Sequence, residues 1–135
     1  MRTGALDLAG FEALGTGLGR DLAPRSVVWL EGPLGAGKTT LVRAIVRGRG
    51  VRDDASSPTY NLVHHYRGPG GAVYHVDCYR MRHPDEAADL DWETLLESDL
   101  LLIEWPERAG AWAPAATRRV TITPAPDETR TVELA

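Results

Sequence analysis

The chain has 135 residues, a length typical of a single domain that buries about two-thirds of its unfolded surface. With 43% apolar residues, 25% charged residues and a net charge of −4, its composition is that of a globular protein and argues against unaided nucleic-acid binding. No apolar run approaches the roughly 18 residues of a membrane span, and the first residues do not resemble a secretory signal. The lone Cys78 excludes an internal disulfide, so we expect a cytoplasmic protein.

The predicted elements alternate between helix and strand along the chain. Leu14, Leu18 and Leu22 recur at helical spacing, and Asp7 is a suitable N-cap for the first helix. The predicted helices are 8–23, 38–50 and 83–98, the last either whole or broken. The predicted strands are 26–31, 59–67, 72–80, 99–105, 118–124 and 129–135, with hairpin turns at 68–71 and 125–128. This order predicts one domain, 1–135, with a three-layer α/β fold resembling P-loop NTPases, a mixed, partly parallel sheet and a C-terminal β-hairpin.

A glycine-rich segment joins the first predicted strand to the second predicted helix. It matches G-x-x-x-x-G-K-[ST], the pattern whose backbone N–H groups surround nucleotide phosphates at a helix N-terminus. Thr39 offers a hydroxyl to Mg²⁺, and Lys38 can reach the β- and γ-phosphates. We therefore expect nucleotide contacts from Gly32, Pro33, Leu34, Gly35, Ala36, Gly37, Lys38, Thr39 and Thr40.

Lys38 is the only lysine, whereas the other 14 basic residues are arginines. A compact ammonium on a thin stem fits inside a phosphate-binding loop, whereas a planar guanidinium does not. Guanine recognition in conventional P-loop GTPases uses an N/T-K-x-D pattern, which would need a second lysine. The sequence therefore favours ATP over GTP.

Two acidic residues end predicted strands near this loop. Ligands of open α/β sheets gather at the carboxyl ends of strands, which makes Asp77 and Glu104 candidates for binding Mg²⁺ and orienting the attacking water. Spacing does not say which acid has which role, and either could instead cap a helix or pair with an arginine.

Other polar residues allow two interpretations each. Thr59 could close over the γ-phosphate or lie in an ordinary turn before a strand. Three histidines, His64, His65 and His75, match no zinc spacing and are predicted to be surface or interface residues. The arginines after the loop, Arg43, Arg47, Arg49 and Arg52, form either a solvated face or a docking surface.

A series of motifs resembles a known family. After the P-loop come SPTY at 57–60, H-x-D-x-Y-R at 75–80 and EWP at 104–106. This series is similar to the TsaE (YjeE) family, the small P-loop ATPases of the bacterial system that makes N6-threonylcarbamoyladenosine at position 37 of tRNAs. The resemblance extends over nearly the whole chain. Phe11 departs from it, because a threonine near the nucleotide is expected there.

The resemblance implies roles for single residues. It makes Lys38 the phosphate lysine, Thr39 a Mg²⁺ ligand and Thr59 a γ-phosphate sensor. It places Asp77 and Glu104 at the acids near Mg²⁺, and Trp105 and Arg130 beside the nucleotide. It also implies a slow ATPase that needs a partner heterodimer carrying the transfer chemistry, with tRNA contacted mainly by the partners.

Two other functions use the same phosphate site. A small-molecule kinase would need an acceptor pocket and an arginine-rich lid, for which 135 residues leave little room. A nucleotide-sensing module would bind tightly without appreciable turnover. Phosphate release with and without the partner proteins separates these alternatives.

Overall fold

A computed structural model describes residues 1–52 and 62–135 of the chain. The described strands form one six-stranded sheet of order β2-β3-β4-β1-β5-β6. They are β1 Ser26–Glu31, β2 Val63–Gly68, β3 Gly71–Asp77, β4 Leu100–Glu104, β5 Arg118–Pro124 and β6 Arg130–Leu134. Strands β3, β4, β1 and β5 are mutually parallel, while β2 and β6 pair antiparallel at the two edges. The predicted mixed, partly parallel α/β sheet with a C-terminal hairpin is confirmed.

Two long helices cover one face of the sheet. They are α1, Leu8–Asp21, and α2, Lys38–Gly48. Asp7 caps α1 by accepting a hydrogen bond from the Gly10 amide at 2.8 Å, as the sequence predicts. Alternate residues of the parallel strands face these helices, and together they bury Phe11, Leu18, Val28, Leu30, Leu41, Ile45, Leu100 and Leu102.

Short elements cover the opposite face. They are two 3₁₀ segments, Pro84–Asp89 and Pro106–Trp112, and a five-residue helix α3, Trp92–Leu96. They pack on the other alternate strand residues, and this second core contains Val27, Val63, Val76, Leu95, Leu101 and Ile103. The sheet is therefore the middle of three layers, the helical one regular and the opposite one irregular.

The boundaries differ from the predicted ones in several places. Segment 83–98, which the sequence predicts as either whole or broken, is broken at Leu90, whose extended backbone (φ −80°, ψ 143°) separates the 3₁₀ turns from α3. Strand β3 stops at Asp77 instead of residue 80, because Cys78 to Met81 form a turn closed by Met81 N–H donating to the Cys78 carbonyl. Helices α1 and α2 each end two residues early. Of the predicted strand 59–67, residues 59–61 lie outside the described residues.

This topology fixes where a ligand could bind. Because β1, β3 and β4 are parallel, their carboxyl ends lie at one edge of the sheet, where β1 leads into the glycine-rich loop. In β3 and β4 the last residues, Asp77 and Glu104, are register partners. Among the described residues, no helix is both long and apolar enough to cross a membrane.

Candidate nucleotide-binding site

The glycine-rich loop runs from the end of β1 to the first residue of α2. Gly32 and Gly37 have φ angles of 155° and 103°, which residues with a β-carbon rarely adopt. A β-carbon on Gly32 would also lie 2.8 Å from the backbone oxygen of Ile122. Both glycines are therefore needed for the loop to curl against β5 and turn into α2.

Lys38 is buried at the N-terminus of α2, with 5% of its surface exposed. Its ammonium donates to the Gly32 carbonyl and lies 3.6 Å from the ring centroid of Trp105, a cation–π contact. Burial lowers the pKa of Lys38 below its usual value, although the nearby carboxylates of Glu104, Glu107 and Asp77 act to raise it. The lysine therefore holds its charge inside the loop at a cost in desolvation.

Glu104 connects three elements at the carboxyl edge of the sheet. It is 3% exposed, and its Oε2 lies 3.4 Å from the Thr39 hydroxyl of α2. The same Oε2 lies 2.5 Å from Nε2 of His75 in β3. One carboxylate oxygen is thus shared between the loop–helix junction and the neighbouring strand.

Asp77 lies at the end of β3, beside Glu104. Its Oδ1 accepts a hydrogen bond from the Tyr79 amide at 3.0 Å, which fixes the turn after the strand. The structure therefore brings Lys38, Thr39, Asp77 and Glu104 to one edge, and the residue–role assignments remain predictions.

Aromatic side chains form one wall of the site. Trp105 follows Glu104 in the left-handed conformation (φ 54°, ψ 50°), which is costly for a residue with a side chain. Its ring centroid lies 5.0 Å from that of Tyr79 and 5.4 Å from the guanidinium of Arg108. The strained backbone turns the indole towards Lys38.

Arg130 approaches the loop from the C-terminal hairpin. Its backbone forms two hydrogen bonds with Leu6, and its guanidinium lies 4.9 Å from the ring centroid of Phe11. Phe11 is completely buried beneath Gly37, so it packs under the loop as a core residue. Arg130, by contrast, reaches the cleft.

These residues line a cleft of about 320 Å³, formed by Leu34, Gly35, Gly37, Lys38, Thr39, Thr40, Asp77, Tyr79, Glu104, Trp105 and Arg130. A second cavity of about 810 Å³ adjoins it and shares Leu34, Asp77 and Tyr79. Among the described residues, the predicted site members Gly32, Pro33 and Ala36 do not line the cleft. Thr59 lies outside the described residues.

Sequence reasoning misplaced His75. It was predicted at the surface or an interface, yet it is 5% exposed and contacts Glu104. The available signal was strand alternation, since His75 lies two residues before Asp77 on the same face of β3. Arg49 was also misplaced, because it forms a largely buried ion pair with Asp99 instead of joining a solvated face or a docking surface.

A protein-family model described as "Threonylcarbamoyl adenosine biosynthesis protein TsaE" matches residues 7–132. The chain belongs to the TsaE family. This confirms the resemblance that the sequence motifs indicated.

The sequences of individual TsaE proteins support this family assignment. Proteins named tRNA threonylcarbamoyladenosine biosynthesis protein TsaE are 42% identical in Rickettsia typhi, over 65% of this chain and 62% of that protein, and 39% identical in Haemophilus influenzae, over 80% and 68%. The chain thus aligns with less than two-thirds of the rickettsial protein's length. The fold matches a crystal structure of Bacillus subtilis YdiB with a TM-score of 0.77 and 25% identity, covering 98% of this chain and 80% of that one.

Proposed function

We propose that this TsaE-family protein is a Mg²⁺-dependent ATPase that supports the formation of threonylcarbamoyladenosine in tRNA. The observation that carries the proposal is the buried Lys38 ammonium, enclosed by a loop whose backbone only glycine allows. The names of the TsaE relatives indicate the pathway.

The loop has the chemistry of a polyphosphate site. The N-terminus of the eleven-residue α2 favours an anion, because the first amides of a helix have no intrahelical partner, and Lys38 adds a full positive charge beside them. The 320 Å³ cleft is of the size of small-ligand sites. ATP therefore fits the residues present, with Arg130 and Trp105 at the margins.

The oxygen donors at the same edge suit Mg²⁺. This cation prefers carboxylate and hydroxyl oxygens, and Thr39, Asp77 and Glu104 offer them at the cleft. Mg²⁺ bound there would offset negative charge on the phosphates during transfer to water.

The chain's own residues divide the work of hydrolysis. Lys38 would leave the Gly32 carbonyl to bind the β- and γ-phosphates, a local change because both partners belong to the loop. Glu104 or Asp77 would orient the attacking water, and the other would act mainly towards the cation. Trp105 would exclude solvent from the lysine.

The proposal includes a protein partner. The family resemblance implies a partner heterodimer that carries the transfer chemistry in the cytoplasm. The net charge of −4 disfavours strong binding of tRNA by this chain, which agrees with the partners making most tRNA contacts. The exposed Leu34, with 71% of its surface accessible at the tip of the loop, offers an apolar contact beside the nucleotide.

Phosphate release measured with and without the partner heterodimer tests the proposal. We expect slow Mg²⁺-dependent hydrolysis of ATP by the protein alone and stimulation by the partners. Phosphate appearing on a small acceptor would instead indicate a kinase, and tight binding with no turnover in either condition would indicate a sensor. A Lys38→Met variant controls for contaminating ATPases.

A further inference from the structure

His75 occupies a buried position in the sheet where an apolar side chain would be expected. It lies in the interior of β3 with 5% of its surface exposed, between the strand's register partners in β2 and β4. Buried strands of this kind are usually apolar, because an imidazole loses hydration on burial and must find a partner. A valine would satisfy the fold here, as Val73 does two residues earlier on the same face.

The His75 imidazole forms a hydrogen bond with Glu104. Its Nε2 lies 2.5 Å from Oε2, and the two side chains are 6% and 3% exposed. A carboxylate oxygen only accepts, so Nε2 donates. Solvent competes little for this bond, which therefore restricts the side-chain torsions of Glu104 strongly.

The restriction matters because of where Oε2 lies. The same oxygen is 3.4 Å from the hydroxyl of Thr39, the first-turn residue of α2. On the other side, the ring of His64 stacks on His75 with centroids 5.4 Å apart and planes at 20°. His64 and His75 are direct register partners, so β2 supports the ring from behind.

We propose that His75 is a positioning residue that holds the Glu104 carboxylate against Thr39, and so prepares the two oxygens for a cation and water. The inference rests on the proposed function for its chemical consequence. Its structural part, the orientation of Glu104, stands on the contacts of β3, β4 and α2 alone. Hydrogen-bond partners of metal-site ligands typically contribute about 10- to 100-fold in metal affinity or activity.

Two substitutions separate positioning from filling space. His75→Leu keeps most of the volume and loses the donor, whereas His75→Gln keeps a donor at similar reach. Val73→Ala is the matched control, since it removes buried atoms from the same face of β3 without touching Glu104. If His75→Leu does not fold, His75→Asn serves, because its shorter amide cannot reach Oε2.

The kinetic arm measures kcat and KM for ATP hydrolysis and the affinity for ADP with Mg²⁺ and with EDTA. We expect His75→Leu to lower kcat about 10- to 100-fold and to shrink the gain in ADP affinity from Mg²⁺ by about tenfold, with affinity in EDTA unchanged. His75→Gln should recover most of both, and Val73→Ala should alter only stability. Unchanged kcat and Mg²⁺ gain in His75→Leu, or no recovery in His75→Gln, would overturn the proposal.

A crystal structure of the nucleotide-free His75→Leu variant tests the inference even if the wild-type protein proves inactive. We expect the Glu104 carboxylate to leave its contact with Thr39. A carboxylate that stays in place refutes positioning whatever the protein's activity. A wild-type protein that neither binds nor hydrolyses ATP, with Glu104 displaced in the variant, would refute the proposed function and keep the structural inference.

Discussion

The two ends of helix α2 carry basic residues that are both largely shielded from solvent but differ in what surrounds them: the Lys38 residue is 5% exposed and the Arg49 side chain 11%. Arg49, just after the helix, donates from Nε and Nη2 to both carboxylate oxygens of Asp99 at 2.8 Å, and from Nη1 to the carbonyls of Gly19 and Leu22. Lys38, at the other end, donates to the Gly32 carbonyl and otherwise faces a cleft.

The partners follow the same division along β4. Asp99 precedes the strand, and both of its carboxylate oxygens pair with Arg49. Glu104 ends the strand and faces Thr39 and the cleft. A buried charge whose hydrogen bonds are satisfied within the protein serves stability and geometry. We expect a buried charge that lines a cavity, such as Lys38, to bind a ligand instead, and this is the difference between the two ends of α2.

The largest effect is expected at the C-terminal end of α2, where Arg49 pairs with Asp99. Arg49→Ala leaves Asp99 buried without a counter-charge, which should lower the free energy of unfolding by about 3–5 kcal/mol. Urea unfolding measures the loss, and ATP affinity of the folded fraction should not change. The Arg49→Met/Asp99→Leu double variant should recover much of the stability. A loss below about 1 kcal/mol in Arg49→Ala would show that the pair is not structurally important.

Glu104→Gln should have the next largest effect, which we expect on the turnover of ATP much more than on its binding. The amide keeps the shape of the carboxylate but loses its charge and basicity, so we expect kcat to fall about 10²- to 10³-fold while ATP affinity changes only a few-fold. Single-turnover hydrolysis and equilibrium titration give the two numbers. Equal losses in both would reassign Glu104 to nucleotide positioning and leave Asp77 as the hydrolytic acid.

Lys38→Met tests the N-terminal end of α2, where the lysine lines the cleft. Loss of charge-assisted contacts should weaken ATP binding by about 1.5–3 kcal/mol, roughly 10- to 100-fold, and remove productive turnover. The free energy of unfolding should stay equal or rise, because the variant no longer has to desolvate a buried ammonium. Calorimetric titration and thermal unfolding check the two parts.

Lys38→Arg is the matched control for this site. It keeps the charge, yet its planar guanidinium is too broad for the loop, so binding should still be impaired. Wild-type affinity in Lys38→Arg would contradict the steric explanation for the chain's single lysine.

Much of this site could be predicted from the sequence because its elements are local. The loop motif, the helix after it and the acid that ends each strand depend on spacing within about 15 residues, and the parallel sheet then brings them together. The turn after Asp77 and the break at Leu90 were harder, since Pro84 and the acidic residues after it resemble an ordinary helix start. Asp91 accepts a hydrogen bond from the Thr94 amide and begins a separate helix, whereas the sequence pattern left open whether the segment is whole or broken.

Strand alternation places His75 on the same face of β3 as Asp77, but the partners of His75 and Arg49 could not be assigned from local spacing. Each is defined by a partner distant in sequence, Glu104 for His75 and Asp99 for Arg49, and only the register of β3 with β4 and the packing of α2 bring these pairs together. The organisation of 1–135 as one domain and the role of Thr59 stay predictions.

A crystal structure with a non-hydrolysable ATP analogue and Mg²⁺ tests the central claim most directly. We expect the triphosphate within the loop at residues 32–39, with the Lys38 ammonium moved from the Gly32 carbonyl to the phosphates and the Arg49–Asp99 pair unchanged. A loop that remains empty at saturating nucleotide, with Lys38 still on Gly32, would contradict it.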